Sequence, residues 1–108
     1  MTTQEWFEEK KAKVAANPEA INGIEGSFQF DYTVDGQGIW HMVFPGDGTY
    51  IMEAGEYPDA DVKVSTKWSV MEDIMSGKLN PNAALLTGKL KFTGDMNVLM
   101  SLGAIVEL

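Results

Sequence analysis

The chain has 108 residues, 44% of them hydrophobic and 22% charged, which suits one globular domain and excludes both a disordered segment and a second domain. Sixteen acidic residues face eight basic ones, all lysine, for a net charge of −8, so no basic stripe exists for nucleic acid. No cysteine is present, which excludes disulfides, thiolate nucleophiles, zinc–thiolate sites and iron–sulfur clusters.

No apolar run approaches the length of a membrane-spanning helix, and the start Met1-Thr2-Thr3-Gln4-Glu5-Trp6 lacks the basic and apolar regions of a signal peptide. The expected setting is the cytoplasm, without stable membrane insertion. Thr2 and Glu5 stand at capping-box spacing and predict a first helix that carries Trp6, Phe7 and Val14 on one side and stops at Asn17-Pro18. Residues 27–34 alternate, with Phe28, Phe30, Tyr32 and Val34 on one face. Residues 39–44 and 49–54 continue a three-strand meander with Trp40, Met42, Phe44, Tyr50 and Met52 on a common face. Three-residue loops set Tyr32 opposite Trp40, Phe30 opposite Met42 and Phe44 opposite Tyr50, and this register gathers the large apolar groups on one side.

Residues 61–66 predict a fourth strand with Val62 and Val64 inward. Ser69 and Glu72 then suggest a capped helix with a stripe of Val70, Met71, Ile74 and Met75, ended by Gly77. Asn80-Pro81 opens a short helix through Ala84 and Leu86, and residues 89–93 form a fifth strand with Leu90 and Phe92 inward. Asp95 begins a last helix over residues 96–108, apolar on all sides, which must be buried or must cover something apolar. The predicted class is α+β: one domain over 1–108, a mainly antiparallel five-stranded sheet with helices on one face.

Catalytic equipment is sparse. His41 is the only histidine and in this register lies opposite Asp31 on the outer face, where an exposed cross-strand pair explains it better than a general base. Replacing His41 with glutamine separates the two. No nucleophile elbow, metal-ligand spacing or phosphate loop occurs: Gly36 to Gly38 and Gly46 to Gly48 are turns, and Asp59 and Asp61 mark a solvated strand entrance. No catalytic residue, metal or cofactor is expected.

Apolar equipment is plentiful. The inner sheet face offers Phe30, Tyr32, Trp40, Met42, Val62, Val64, Leu90 and Phe92. The helices offer Met71, Ile74, Met75, Leu86, Met96, Leu99, Met100 and Leu102 to cover it. Seven methionines suit a surface that adapts to irregular apolar ligands. On composition alone, an ordinary core that uses methionine as filler accounts for them better than a cavity.

The stretch from Ala60 to Leu102 resembles the sterol carrier protein type 2 family. The carrying features are Ala60-Asp61-Val62, the run Ser76-Gly77-Lys78-Leu79-Asn80-Pro81, Ala84, Gly88-Lys89-Leu90-Lys91, and Gly94-Asp95-Met96 before an apolar helix. Gly26, Phe28, Phe30 and Trp40 agree more loosely. The resemblance implies an apolar tunnel between sheet and helices, and binding or transfer of sterol, fatty acid, fatty acyl-CoA or similar lipid without catalysis. The expected lipid lining is the inner sheet face and the covering helix residues: Phe30, Tyr32, Trp40, Met42, Val62, Val64, Met71, Ile74, Met75, Leu86, Leu90, Phe92, Met96, Leu99, Met100 and Leu102. Familiar eukaryotic members are basic and carry a peroxisomal address, whereas this chain is acidic and ends Val106-Glu107-Leu108. With no arginine, an anionic headgroup meets only lysines and backbone N–H groups. The alternative is an interaction module that presents a hydrophobic substrate to a partner enzyme of lipid or quinone metabolism. In that case the C-terminal apolar segment is also an interface, to the enzyme or to a second copy.

Overall fold

A computed structural model describes residues 1–106 and 108. Five strands, β1 (Gly26–Tyr32), β2 (Gly38–Phe44), β3 (Ile51–Ala54), β4 (Val62–Thr66) and β5 (Leu90–Gly94), form one sheet in the order β3-β2-β1-β4-β5. All neighbours run antiparallel except β1 and β4, which are parallel. The α+β class read from the sequence is therefore present. The helices are α1 (Thr3–Ala16), α2 (Trp68–Met75), α3 (Pro81–Leu86), α4 (Met96–Met100) and α5 (Leu102–Val106).

The first helix begins as its sequence predicts. Thr2 Oγ1 accepts from Glu5 N at 3.2 Å while Thr2 N donates to Glu5 Oε1 at 2.9 Å, a complete capping box. Its buried side chains, Thr3, Trp6, Phe7, Lys10 and Val14, recur at helical spacing and form the stripe laid on the sheet. A single 3₁₀ turn, Pro18–Ile21, follows. Asn80 and Asp95 cap α3 and α4 through their side chains.

The β1–β2 register is offset by two residues from the expected one. Phe30 faces Trp40, Phe28 faces Met42 and Tyr32 faces Gly38. The connection is longer than a three-residue loop, because Asp31 Oδ1 accepts from Thr33 N (2.9 Å) and Thr33 Oγ1 (2.6 Å) and starts a 3₁₀ turn at Thr33–Asp35. Val34, expected inward at the end of the strand, sits on this turn, 66% exposed. An offset of two preserves every face assignment, so the aromatic side stays intact. Between β2 and β3, Met42 faces Met52 and Val43 faces Ile51, and Tyr50 lies just before the paired strand.

Two other local expectations change. α2 begins at Trp68, and no side chain at the Lys67 cap position bonds to it; Asp35 Oδ2 instead accepts from Ser69 N at 3.3 Å, a cap supplied from a distant turn. The last helix is not continuous. Ser101 Oγ donates to Val98 O at 2.6 Å, and Ser101 N also bonds to that carbonyl at 3.1 Å, so the backbone tightens and splits α4 from α5.

The parallel β1–β4 pair requires a crossover. Residues 55–61 pass from β3 to β4, and Tyr57 N donates to Gln29 Oε1 at 2.7 Å on the outer face of β1. Asp61, expected to be a solvated loop carboxylate, closes this crossover: its Oδ2 accepts from Ser27 N (3.0 Å) and Ser27 Oγ (3.1 Å). Its N–H donates to Ser27 Oγ at 2.8 Å, and its carbonyl accepts from Asp95 N at 3.0 Å. One residue thus joins β1, β4 and the start of α4.

Candidate functional site

The inner sheet face and the helices enclose an aromatic cluster. Phe28, Phe30 and Tyr32 form a stacked row along β1, with neighbouring ring centroids 6.3 and 5.9 Å apart. Phe7 of α1 lies 4.8 Å from Trp40 and 6.5 Å from Phe30, while Trp68 of α2 lies 5.3 Å from Tyr32 and 6.1 Å from Trp6. Two of the three indole N–H groups bond to backbone carbonyls, Trp68 to Met1 O and Trp40 to Gln37 O, each at 2.8 Å. The ring faces are left apolar.

At the centre lies an apolar void of about 10 Å³, lined by Trp6, Phe7, Phe30, Tyr32, Trp68, Met71, Met75, Leu102 and Val106. That volume is close to the minimum for a single water, so in this conformation the side chains fill the interior against one another. Beside it, a groove of about 320 Å³ opens to solvent between α1, α2 and the end of α5. Trp6, Trp68, Met75 and Val106 line both spaces. The groove and the void share these four walls.

Of the lining residues expected from sequence, Phe30, Tyr32, Met71, Met75 and Leu102 meet at the void. Met42, Val62 and Val64 are buried in the same core, and Trp40, Leu90, Phe92 and Leu99 pack partly buried against it. Ile74 is half-buried and lies outside that cluster. Leu86, Met96 and Met100 face solvent, at 88%, 50% and 72% exposure. Trp68 also lines the void, and Trp6, Phe7 and Val106 complete it without having been placed there from sequence. The α1 stripe through Trp6, Phe7 and Val14 is the signal that points to the first two.

The groove has a polar rim. Lys10 is only 6% exposed, yet its ammonium donates to Val106 O at 3.0 Å and Leu108 O at 2.8 Å, and sits 5.5 Å over the Trp6 ring. Burial first, then the neighbouring Lys13, hold its pKa below the ordinary lysine value. Across the groove, the Glu72 carboxylate lies 3.7 Å from the α-amino group of Met1.

His41 is elsewhere. It lies on the outer face, 6% exposed, opposite Gln29 rather than Asp31, and its ring stacks on Tyr57 of the crossover at 5.5 Å. The Gly55 carbonyl can only accept, so at 2.9 Å it assigns the proton to Nδ1, while Nε2 lies 3.2 Å from Glu53 Oε1. The expected exposed pair is instead a buried joint under the crossover. Among the described residues no three metal-ligating side chains converge, and no helix is long and apolar enough to cross a membrane.

Comparison with known proteins agrees with this geometry. The chain is 27% identical over 103 residues to non-specific lipid-transfer protein-like 1 of Caenorhabditis elegans, covering 94% of this chain and 86% of that one. It is 29% identical over 103 residues to hydroxysteroid dehydrogenase-like protein 2 of Xenopus laevis, covering 95% of this chain and spanning only 24% of the frog protein. Its fold matches the crystal structure of sterol carrier protein 2-like 2 from Aedes aegypti with a TM-score of 0.64 at 23% identity, over 97% of this chain and 94% of that one. The family model described as the SCP-2 sterol transfer family matches residues 7–107. The chain belongs to the SCP-2 sterol transfer family.

Proposed function

We propose that this domain binds the hydrocarbon of one lipid molecule between the inner sheet face and helices α1, α2 and α5, and carries it without altering it covalently. The observation that supports this best is the aromatic and methionine-lined interior that shares four walls with an open groove. Family membership agrees with it. Because the interior is filled by its own side chains, a ligand enters by separating them. Met71 and Met75 are suited to that, being unbranched and polarisable. Each methylene transferred from water contributes roughly 0.8 kcal/mol, so affinity should rise with chain length. Fatty acid, fatty acyl-CoA and sterol are the classes proposed, and the cytoplasm the proposed setting.

The test is displacement of a fluorescent fatty acid, followed with a homologous series of saturated acids and with a sterol. Tighter binding with each added methylene supports the proposal; absence of binding across the series and for the sterol overturns it. A second reading, presentation of a hydrophobic substrate to an enzyme domain, is favoured by the frog relative, in which the matching segment is about a quarter of the protein. Met96 and Met100, exposed on α4, offer the contact surface. Replacing both with glutamate should leave lipid binding intact and remove any effect on a partner enzyme.

A further inference from the structure

The pairing of β4 with β5 gathers cations that the sequence keeps apart. Val62, Val64 and Thr66 are buried on the inner face, so Lys63 and Ser65 stand on the outer one, and Lys67 continues the alternation in extended backbone. On β5, Leu90 and Phe92 pack against the core, while Lys91 and Thr93 stand outside, preceded by Lys89. Lys63 faces Thr93 and Ser65 faces Lys91 across the pair. Four of the chain's eight lysines therefore share one exposed face of two strands.

Two grooves run along this face. One of about 220 Å³ includes Lys63, Ser65, Lys91 and Thr93, and one of about 410 Å³ includes Ser65, Lys67, Lys89 and Lys91. They meet at Ser65 and Lys91 and form one basic track. On the same face the crossover covers β1 and β2 through Tyr57, which leaves the track beside it open to solvent. Like charges on neighbouring strands repel. Among the described residues the ion pairs are Met1–Glu72, Lys13–Glu9 and His41–Glu53, and none uses a lysine of the track. In a chain of net charge −8, the carboxylates that could neutralise this cluster are placed elsewhere.

We infer that the track docks an extended acidic segment of a partner protein, with a carboxylate at every second residue. The outward positions of each strand repeat at about 7 Å, the repeat at which an extended peptide presents alternate side chains on one side. From Lys63 to Lys67 the track spans about 13 Å, the length of a short strand. Ammonium groups pair with single carboxylates, and the Ser65 and Thr93 hydroxyls stand between them as further donors. Asp31 and Asp73 also line the grooves, Asp31 with Oδ1 already bonded to Thr33. With the net charge of −8, they repel a broad anionic bilayer more than one narrow strand. Single-stranded nucleic acid needs aromatic faces for its bases, and the ring on these two strands, Phe92, packs against the core. The track lies on the sheet face opposite the aromatic interior, so a docked partner leaves the groove between α1 and α2 free.

The probes are two short peptides of equal glutamate and threonine content, one strictly alternating and one with its glutamates in a block. Binding is followed by amide shifts and calorimetry at low ionic strength. The alternating peptide should bind at least threefold tighter than the block peptide and shift amides of residues 63–67 and 89–93. Lys63→Gln combined with Lys91→Gln should weaken it by tenfold or more, whereas Lys11→Gln, an exposed lysine of α1, should leave it unchanged. Equal binding of the two peptides, binding of neither, shifts confined to other residues, or affinity that survives the double substitution overturns the inference. Tighter binding of phosphatidylglycerol vesicles or of an oligothymidylate through the same lysines also overturns it. The wild-type amide shifts decide the matter even if the double variant fails to fold.

Discussion

Tyr32 meets Trp68 edge to face, with ring centroids 5.3 Å apart at 68°, and this contact ties the end of β1 to the first turn of α2. The contact sits at the wall of the void, so what holds it together also holds the site closed. Tyr32 is 2% exposed, and burial, aided by the negative charge of Asp35, pushes its phenol pKa well above the ordinary value of 10.0.

An alkaline limit follows. The folded pKa lies above the unfolded one, so the neutral phenol stabilises the fold fully below about pH 10, and that contribution is lost as pH rises beyond it. Thermal melts between pH 8 and 11 should show the midpoint falling above pH 10. Tyr32→Phe should flatten the fall, and an equally steep fall in the variant would rule Tyr32 out as its cause.

Gly94 is a stringent backbone position. It has φ +112°, and a Cβ there would overlap the Asp61 carbonyl oxygen where β4, β5 and α4 meet. Gly94→Ala should cost about 3 kcal/mol, from strain and the displaced strand together. Urea unfolding measures it; a loss below about 1 kcal/mol would show that the strand pair yields easily.

Thr3 offers the opposite case. Its hydroxyl, in the first turn of α1, is buried and has no hydrogen-bond partner among the described residues. Thr3→Val removes the orphan group at nearly constant shape and should raise stability by about 1 kcal/mol. An unchanged or lower urea midpoint would mean that the hydroxyl has a partner in solution.

The two ends of the apolar surface should respond differently to charge. Leu102 lines the void, whereas Leu86 is 88% exposed. Leu102→Asp should abolish binding of a fluorescent fatty acid and leave the meander folded, and Leu86→Asp should change affinity by less than about twofold. Amide exchange adds a second measure. Residues 98–106 should exchange more slowly with lipid bound, and equal rates would show that this segment is ordinary core.

The parts legible in the sequence were those governed by period and cap chemistry. The alternation of Phe28, Phe30 and Tyr32, and the Thr2–Glu5, Asn80 and Asp95 caps, stand as their residues predict. The β2–β3 register follows the expected one, with Met42 facing Met52; the β1–β2 register was not legible, because the Asp31–Thr33 turn that sets it is a choice between loop lengths of similar cost. The burial of His41 was hidden for another reason: its cover, Tyr57, arrives with a parallel crossover that no local pattern announces. Lys10 escaped notice because helical spacing places a lysine inside a buried stripe, and only the returning end of α5 explains why it stays there.

The central strand β1 takes its two neighbours from opposite ends of the sheet's history. Its antiparallel partner β2 follows at once, but its parallel partner β4 comes only after β3 and the crossover. On the ribosome, therefore, the meander emerges with one edge of its most aromatic strand unpaired, and that edge must wait for residues 62–66. An unpaired edge carrying Phe28, Phe30 and Tyr32 is a template for any strand that reaches it first. Yield during synthesis should thus depend on how quickly β4 is delivered, and slow translation between β3 and β4 should favour inclusion bodies even for variants whose finished fold is stable.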